Sequence, residues 1–156
     1  MQKLQLYTAT KEDIKTLIEI RLEYINADLA QINEVETAII SSKLTTYLTN
    51  NIGTNFIALL GKIDNQVVSC AYLAISEIPA NNNLNGRYGT VLNVFTYPNH
   101  RNKGYATQVL TKLIEEARAF SLHHITLDAS PSAVSLYKKI GFSENKSKYT
   151  SMSKLL

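Results

Sequence analysis

Six consecutive residues, Arg101-Asn102-Lys103-Gly104-Tyr105-Ala106, concentrate the chemistry that this chain displays openly. Two cations flank an amide. Gly104 lets the backbone take conformations closed to other residues, and Ala106 is small enough for a ligand to approach the main chain closely. A buried-looking strand precedes the six residues and an amphipathic helix follows them. A helix start leaves several N–H groups unpaired and carries partial positive charge. Cations, a flexible turn and a helix start in that order suit an anion, and the local reading is a pyrophosphate cradle made largely of backbone.

Other reactive side chains are sparse. Cys70 is the only cysteine and lies in the apolar run 67–75, so it reads as a buried, inert thiol more readily than a nucleophile. His123 and His124 fall between a helix and a strand and read as helix-terminal or surface residues. No His/Cys/Asp spacing suggests a metal site, and neither a Gly-x-Gly-x-x-Gly nor a Gly-x-x-x-x-Gly-Lys-Ser/Thr motif occurs.

The elements that must position the cradle follow from periodicity. Residues 90–97 are apolar at most positions and predict a strand buried on both faces, stopped by Pro98. Ala106, Val109, Leu110, Leu113, Ile114 and Ala117 recur at helical spacing and predict a long helix with one buried face. Upstream, residues 3–7 alternate as a first strand with Leu4 and Leu6 inward. Thr10 suits a helix N-cap, with Ile14, Leu17, Ile18, Leu22 and Ile25 on the apolar face of the helix it starts. A less regular helix is expected near 34–48. Runs 54–63 and 66–78, joined by Asp64-Asn65, predict an antiparallel hairpin. The polar loop 79–87, with four asparagines, returns the chain to the strand at 90–97. Downstream, 124–128 reads as a short strand, parallel to 90–97 through the helix as crossover. A further helix is expected in 129–142, with Ser130 as N-cap, Pro131 in its first turn and Gly141 ending it in a left-handed conformation. Residues from Phe142 onward and 149–156 predict a closing hairpin, whose edge offers a surface for a homodimer.

Composition narrows the class. The chain has 156 residues, 45% of them hydrophobic and 19% charged, which is expected for one globular domain over 1–156. No apolar run is long enough for a membrane span, the N-terminus does not read as a signal peptide, and a lone cysteine excludes an internal disulfide; a cytoplasmic location is expected. Net charge is only +3, and no basic-aromatic stripe argues for nucleic acid. The charge is uneven. Residues 1–56 carry five Lys/Arg against seven Asp/Glu, and the remainder eleven against six, so the basic part holds the anion cradle.

Two segments together resemble a known family. Arg101-x-x-Gly104-x-Ala106, after a strand and before a helix, is similar to the acyl-CoA motif of the GNAT superfamily of N-acetyltransferases. At the expected distance downstream, Ser130, Ser132, Ala133, Leu136, Tyr137, Gly141 and Phe142 stand in register with that superfamily's second motif, in which Asn commonly occupies the place of Ser130. The resemblance implies an α/β (α+β) fold: a mixed, mostly antiparallel sheet of six to seven strands with about four helices, splayed between the fourth and fifth strands. It implies acetyl-CoA as co-substrate. Phe95, Thr96 and Tyr97 would line the pantetheine, and Val94 would meet the cofactor at its acyl end. Backbone N–H groups of the segment Arg101, Asn102, Lys103, Gly104, Tyr105, Ala106 and Thr107 would take the pyrophosphate, and Ser130 would contact the cofactor by a shorter reach than Asn.

The implied reaction is direct acetyl transfer to a primary amine, with Tyr137 as the general acid and the acyl oxygen held by an N–H near Val94. No glutamate stands on the central strand, where Leu92, Asn93 and Val94 lie; Asn93 is expected to order a water or bind the acceptor, and Glu77 is the nearest carboxylate in sequence. The acceptor, a small-molecule or peptide amine, is expected between the loop 79–87 and the first two helices, which bear Glu12, Asp13, Glu19, Glu23, Asp28, Glu34 and Glu36, an acidic rim suited to a cation. A CoA-binding module without turnover stays open as the alternative; neither nucleic acid nor membrane is expected as a partner.

Overall fold

Asp64 and Asn65 both adopt left-handed backbone angles, φ 48° and 64°. Such angles at both central positions twist a two-residue turn to match its flanking strands. The turn joins β2 (Phe56–Ile63) to β3 (Gln66–Glu77) as an antiparallel pair. The computed structural model describes residues 3–80, 82 and 85–156. Of the asparagine-rich loop 79–87, Asn81, Asn83 and Leu84 lie outside the described residues. On its far side Gly86 (φ 67°) accepts from the Ile78 N–H at 3.0 Å, and a Cβ there would meet Ile78 O at 2.1 Å, so only glycine fits.

The sheet has the order β1-β2-β3-β4-β5, with β1 at Gln5–Thr8, β4 at Arg87–Thr96 and β5 at His124–Thr126. The first four strands are antiparallel neighbours, and β5 runs parallel to β4. The helix α3 (Tyr105–Ala117) is the crossover between them. Its Val109, Leu110 and Leu113 are fully buried against Leu59, Ala71 and Leu73 on one face of the sheet. The opposite face carries α1 (Ile14–Tyr24), a π turn at Ile25–Leu29 and α2 (Glu34–Asn51), which bury Leu17, Ile20 and Leu48 against Phe56, Tyr72 and Phe95. Thr10 caps the short turn before α1 with Asp13 as its reciprocal partner, as the sequence suggests, and Asn33 with Glu36 does the same for α2. The Tyr72 hydroxyl donates to Leu17 O at 2.9 Å and ties α1 to the sheet.

Two irregularities in β4 separate its C-terminal half from the regular sheet. Tyr72 pairs with Asn93 and Leu73 with Val91, so Leu92 is an extra residue with no partner on β3. This bulge resets the alternation of faces: Val91 packs on the α3 side, Asn93 contacts Cys70 on the α1 side, and Val94 is back on the α3 side. Further, β5 pairs with β4 only through Tyr88, Gly89 and Thr90. Beyond Thr90 the two strands part, which is the expected splay.

The strand count differs from expectation. The described residues form five strands rather than six to seven, because 142–156 carries none. Residues 143–148 read SENKSK, with no apolar alternation to set a register, and Met152, Leu155 and Leu156 are fully exposed. The C-terminal edge suggested for homodimer pairing is therefore not formed, and β5 itself ends the sheet. No helix of the described residues is long and apolar enough to cross a membrane.

The buried α3 face should dominate stability. Leu113→Ala is expected to cost about 2–5 kcal/mol in urea unfolding, whereas Ile39→Ala, at a half-exposed position on α2, should change stability by less than about 0.5 kcal/mol. Equal costs would contradict a core centred on α3.

Candidate functional site

The loop between β4 and α3 contains a 3-10 turn at Pro98–His100, then two left-handed residues, Asn102 (φ 60°) and Gly104 (φ 75°). Alternating hands of this kind turn successive N–H groups toward one concavity. Gly104 is the N-cap of α3 and has no side chain to cap it, so the first-turn N–H groups are left for a ligand. A Cβ at Gly104 would find nothing within 4 Å. The cradle is held from behind: Arg101 Nε donates to Thr96 O at 3.0 Å and Lys103 Nζ to Asn99 O at 3.2 Å. Thr96 is fixed in turn by a 2.8 Å hydroxyl contact with Ser69.

The second half of the site is α4 (Val134–Lys139). Its end explains the spacing from Tyr137 to Phe142. Gly141, at φ 99°, lets the chain reverse; Gly141 N–H then donates to Lys138 O at 3.2 Å and Phe142 N–H to Tyr137 O at 3.0 Å. The same reversal sets the Phe142 ring edge-on to Tyr137, centroids 5.9 Å apart. Tyr137 is thereby held at both backbone and ring. Its phenol is half-buried, and burial first, then the neighbouring Tyr24, pushes its pKa above the ordinary 10.0. Ser130 departs from expectation. Ala133 is the N-cap of α4, and Ser130 instead closes the preceding turn, its carbonyl accepting from Ala133 N–H at 2.9 Å and its hydroxyl meeting that of Ser132 at 3.2 Å. The segment after Pro131 is a turn, too short of helical residues to start α4 there.

Two cavities occupy the gap between β4 and α4. One, of about 400 Å³, runs to the start of α3. Its walls include Val94, Phe95, Thr96, Arg101 and Asn102, then Gly104, Tyr105, Ala106, Thr107 and Ser130, so the structure brings these sequence-selected residues together. Lys103 is not among them. The Tyr105 and Phe95 side chains belong to the two cores, leaving mainly their backbone for a ligand. The other cavity, of about 480 Å³, opens toward the N-terminal helices between Tyr24, Asp28 and Leu29 on one side and Val91, Leu92 and Asp128 on the other. Both cavities share Asp28, Val94, Ser130, Ser132, Ala133 and Tyr137. Tyr24, Leu29 and Asp128 are additions that sequence reasoning missed; each is brought in by tertiary packing, and no local motif marks them.

The other candidates stand differently. Glu77 pairs with Arg87 at 2.9 Å and lines neither cavity. Asn93 lines the cavity on the side of the N-terminal helices, but its side chain is fully buried, with Oδ1 accepting from Arg21 and Nδ2 directed at Cys70 Sγ. Cys70 is buried and its thiol pushed up to about 12, an inert group at neutral pH. His123 and His124 line a separate groove with Ile114 and Phe142. Among the described residues no cluster of His, Cys, Asp or Glu is arranged to hold a metal. Of the seven N-terminal carboxylates, Asp28 alone lines either cavity; Asp13 and Glu36 serve as helix caps.

Known proteins share this fold. The profile of the acetyltransferase (GNAT) family matches residues 26–142. A predicted acetyltransferase from Clostridium acetobutylicum, solved with acetyl-CoA, is 26% identical and superposes with a TM-score of 0.80 over 97% of this chain and 96% of that one. A GCN5-related N-acetyltransferase from Ralstonia eutropha, 17% identical, shares the fold with a TM-score of 0.78 over 99% of both chains. An uncharacterized N-acetyltransferase of Pyropia yezoensis, ycf52, is 38% identical over 58 residues, 37% of this chain and 33% of that protein; the match thus spans about a third of that relative's length.

The environment of Tyr137 fixes a sign. A raised folded pKa means its contribution to stability is complete below pH 10.0 and is lost as pH rises through the folded value. In ultraviolet titration, the phenolate signal absent from Tyr137→Phe should develop above pH 10; a midpoint below 10 would contradict the burial of this phenol.

Proposed function

The chain belongs to the acetyltransferase (GNAT) family, and on that premise we propose that it transfers an acetyl group from acetyl-CoA to a primary amine, both bound at once. The observation that carries the proposal is the junction of two cavities at Tyr137, one leading to the uncapped start of α3 and one to the N-terminal helices. Acetyl-CoA supplies the activated acyl carbon when bound. The residues present suit it: an anion cradle with open space over Gly104, and a β4 edge left without a strand partner past Thr90.

Each task then falls to a named group. N–H groups of 102–107 hold the pyrophosphate, with Arg101 bracing the loop. The backbone of Val94, Phe95 and Thr96 pairs with the pantetheine amides, satisfying groups that a missing strand would otherwise leave bare. The Val94 N–H holds the acyl oxygen as negative charge develops there. As the amine nitrogen bonds to the acyl carbon and the C–S bond breaks, Tyr137 gives its proton to the sulfur, and the nitrogen returns one to the Tyr137 phenolate, which restores the acid. At ordinary values that transfer from phenol to thiolate is uphill by about 1.5 units, roughly 2 kcal/mol, well within a catalysed barrier. Tyr137 is protonated at neutral pH already at the ordinary phenol value, as a general acid requires, and burial pushes its pKa further up, which adds to that uphill step. Ser130, exposed at the shared wall, offers a hydroxyl to the cofactor.

The acceptor is a cationic amine. The cavity on its side is lined by Asp28 and Asp128 and by no lysine or arginine. The unpaired thiol of Cys70 is compatible with a reducing cytoplasm as the place of reaction.

Three measurements test these assignments. Gly104→Glu should abolish acetyl-CoA binding in calorimetry, through bulk and like charge against the pyrophosphate; unchanged affinity would remove the cradle. Tyr137→Phe should lower kcat by about 10²-fold or more while acetyl-CoA affinity holds, and an equally active variant would return Tyr137 to packing. In a panel of amines scored by thiol release, cationic amines should turn over faster than neutral or anionic ones. Binding of acetyl-CoA with no amine-dependent thiol release would instead support a sensor without turnover.

A further inference from the structure

The bulge in β4 is held by a single side chain from the other end of the sequence. Arg21 on α1 donates from one nitrogen, Nη1, to Leu92 O at 3.3 Å and to Asn93 Oδ1 at 3.2 Å. Leu92 is the residue that has no partner on β3, so its carbonyl depends on a donor from outside the sheet. Asn93 is fully buried. Its Nδ2 faces Cys70 Sγ at 3.4 Å, which fixes the amide's orientation and turns Oδ1 to the guanidinium. Arg21 also lies over the Tyr24 ring, 5.4 Å from its centroid, and makes no ion pair with a carboxylate among the described residues. Its charge is thus committed to a strand irregularity rather than to a neighbouring acid.

That commitment has a consequence for the reaction. Val94, the next residue, lines both cavities. The backbone at Asn93 is held from two directions, through the carbonyl before it and through its own side chain, so the peptide leading to Val94 has little freedom. We propose that Arg21 is a positioning residue for acetyl transfer: by clamping the Leu92 bulge and the Asn93 amide, it sets the direction of the Val94 N–H toward the reacting acyl group. The proposal rests on the acetyltransferase function given above. Arg21 itself lines neither cavity and touches neither substrate. Its loss should be felt in the chemical step, where a displacement of about 1 Å costs on the order of 10²-fold, and not in holding the cofactor at the α3 end.

The test compares Arg21→Met and Arg21→Lys with the unaltered chain, reading kcat, KM and calorimetric Kd for acetyl-CoA, and the amide resonance of Val94 by NMR. Arg21→Met should lower kcat by about 10²-fold with Kd for acetyl-CoA changed less than about twofold, and should move the Val94 amide resonance. Arg21→Lys, which keeps a charged donor in reach of one acceptor, should recover part of the rate and part of the resonance shift. Unchanged kcat in both variants, or a loss of kcat matched by an equal loss of acetyl-CoA affinity, would overturn the proposal. Should Arg21→Met fail to fold, the lysine variant decides alone, by a lower kcat at preserved affinity or by neither. No amine-dependent thiol release from the unaltered chain would remove the acetyltransferase function itself, whereas turnover there with indifferent Arg21 variants removes only this inference.

Discussion

The parting of β4 and β5 after three residue pairs is the constraint on which the site depends. A parallel pair that ran on would fill the gap with a hydrogen-bond ladder and leave no room for a ligand. Here β5 stops at Thr126 and the chain turns away through Ala129 to α4. On the other strand the extra residue, Leu92, breaks the register two residues beyond the last pair with β5. Backbone groups on the freed stretch of β4 lie next to a buried core and need partners. A ligand rich in amides meets that need better than water does, because it can replace the ladder residue for residue. The cavity is thus a place where the sheet is incomplete, and under the proposed function the pantetheine of acetyl-CoA would complete it.

Three left-handed residues shape that opening: Asn102 and Gly104 in the cradle and Gly141 at the reversal, while others, such as Asp64, Asn65 and Ser121, serve turns elsewhere. The two glycines do different work. Gly104 opens space in front of helix N–H groups, and Gly141 folds Phe142 back on Tyr137. A helix of six residues would be marginal alone. Its paired C-terminal hydrogen bonds and the Phe142 ring give α4 a defined end, so that the phenol it carries has a fixed place.

Much of this is legible in the sequence because it is written locally. Asp64-Asn65 announces its hairpin, the 106–117 stripe its helix, and Gly141 its helix end, each within a few residues. The cradle motif and the Tyr137 segment are likewise contiguous. The features that escape a sequence reading are set by long-range packing. The run Val91-Leu92-Asn93-Val94-Phe95 fits either phase of strand alternation, so the bulge cannot be located without β3 beside it. Arg21 lies 72 positions from Asn93 and carries no local sign of its task. The closing hairpin fails for the opposite reason: apolar residues at 149–156 suggest strands, but the polar stretch before them supplies no register. Ser130 resembles a cap because proline after serine is a helix-start signal that a simple turn also satisfies.

The charges of the opening grade from one end to the other. Arg101 and the α3 start face one cavity, Asp128 faces the other, and Asp28 lies where the two meet. An anionic donor and a cationic acceptor would each be drawn to its own half. Yet an ammonium cannot attack a carbonyl, and a carboxylate close to it favours the charged form. The proposed chemistry therefore needs attraction at entry and discharge at depth. Val91, Leu92, Val94 and Leu127 line the same cavity as Asp128 and give it apolar surface beside the carboxylates. Burial against such a surface penalises a charged amine and lowers its pKa. With no carboxylate on the central strand to act as base, the ammonium would release its proton to water at the open acidic rim as it moves toward the apolar interior, and the cost of desolvating the cation would drive a transfer that a fixed base performs elsewhere.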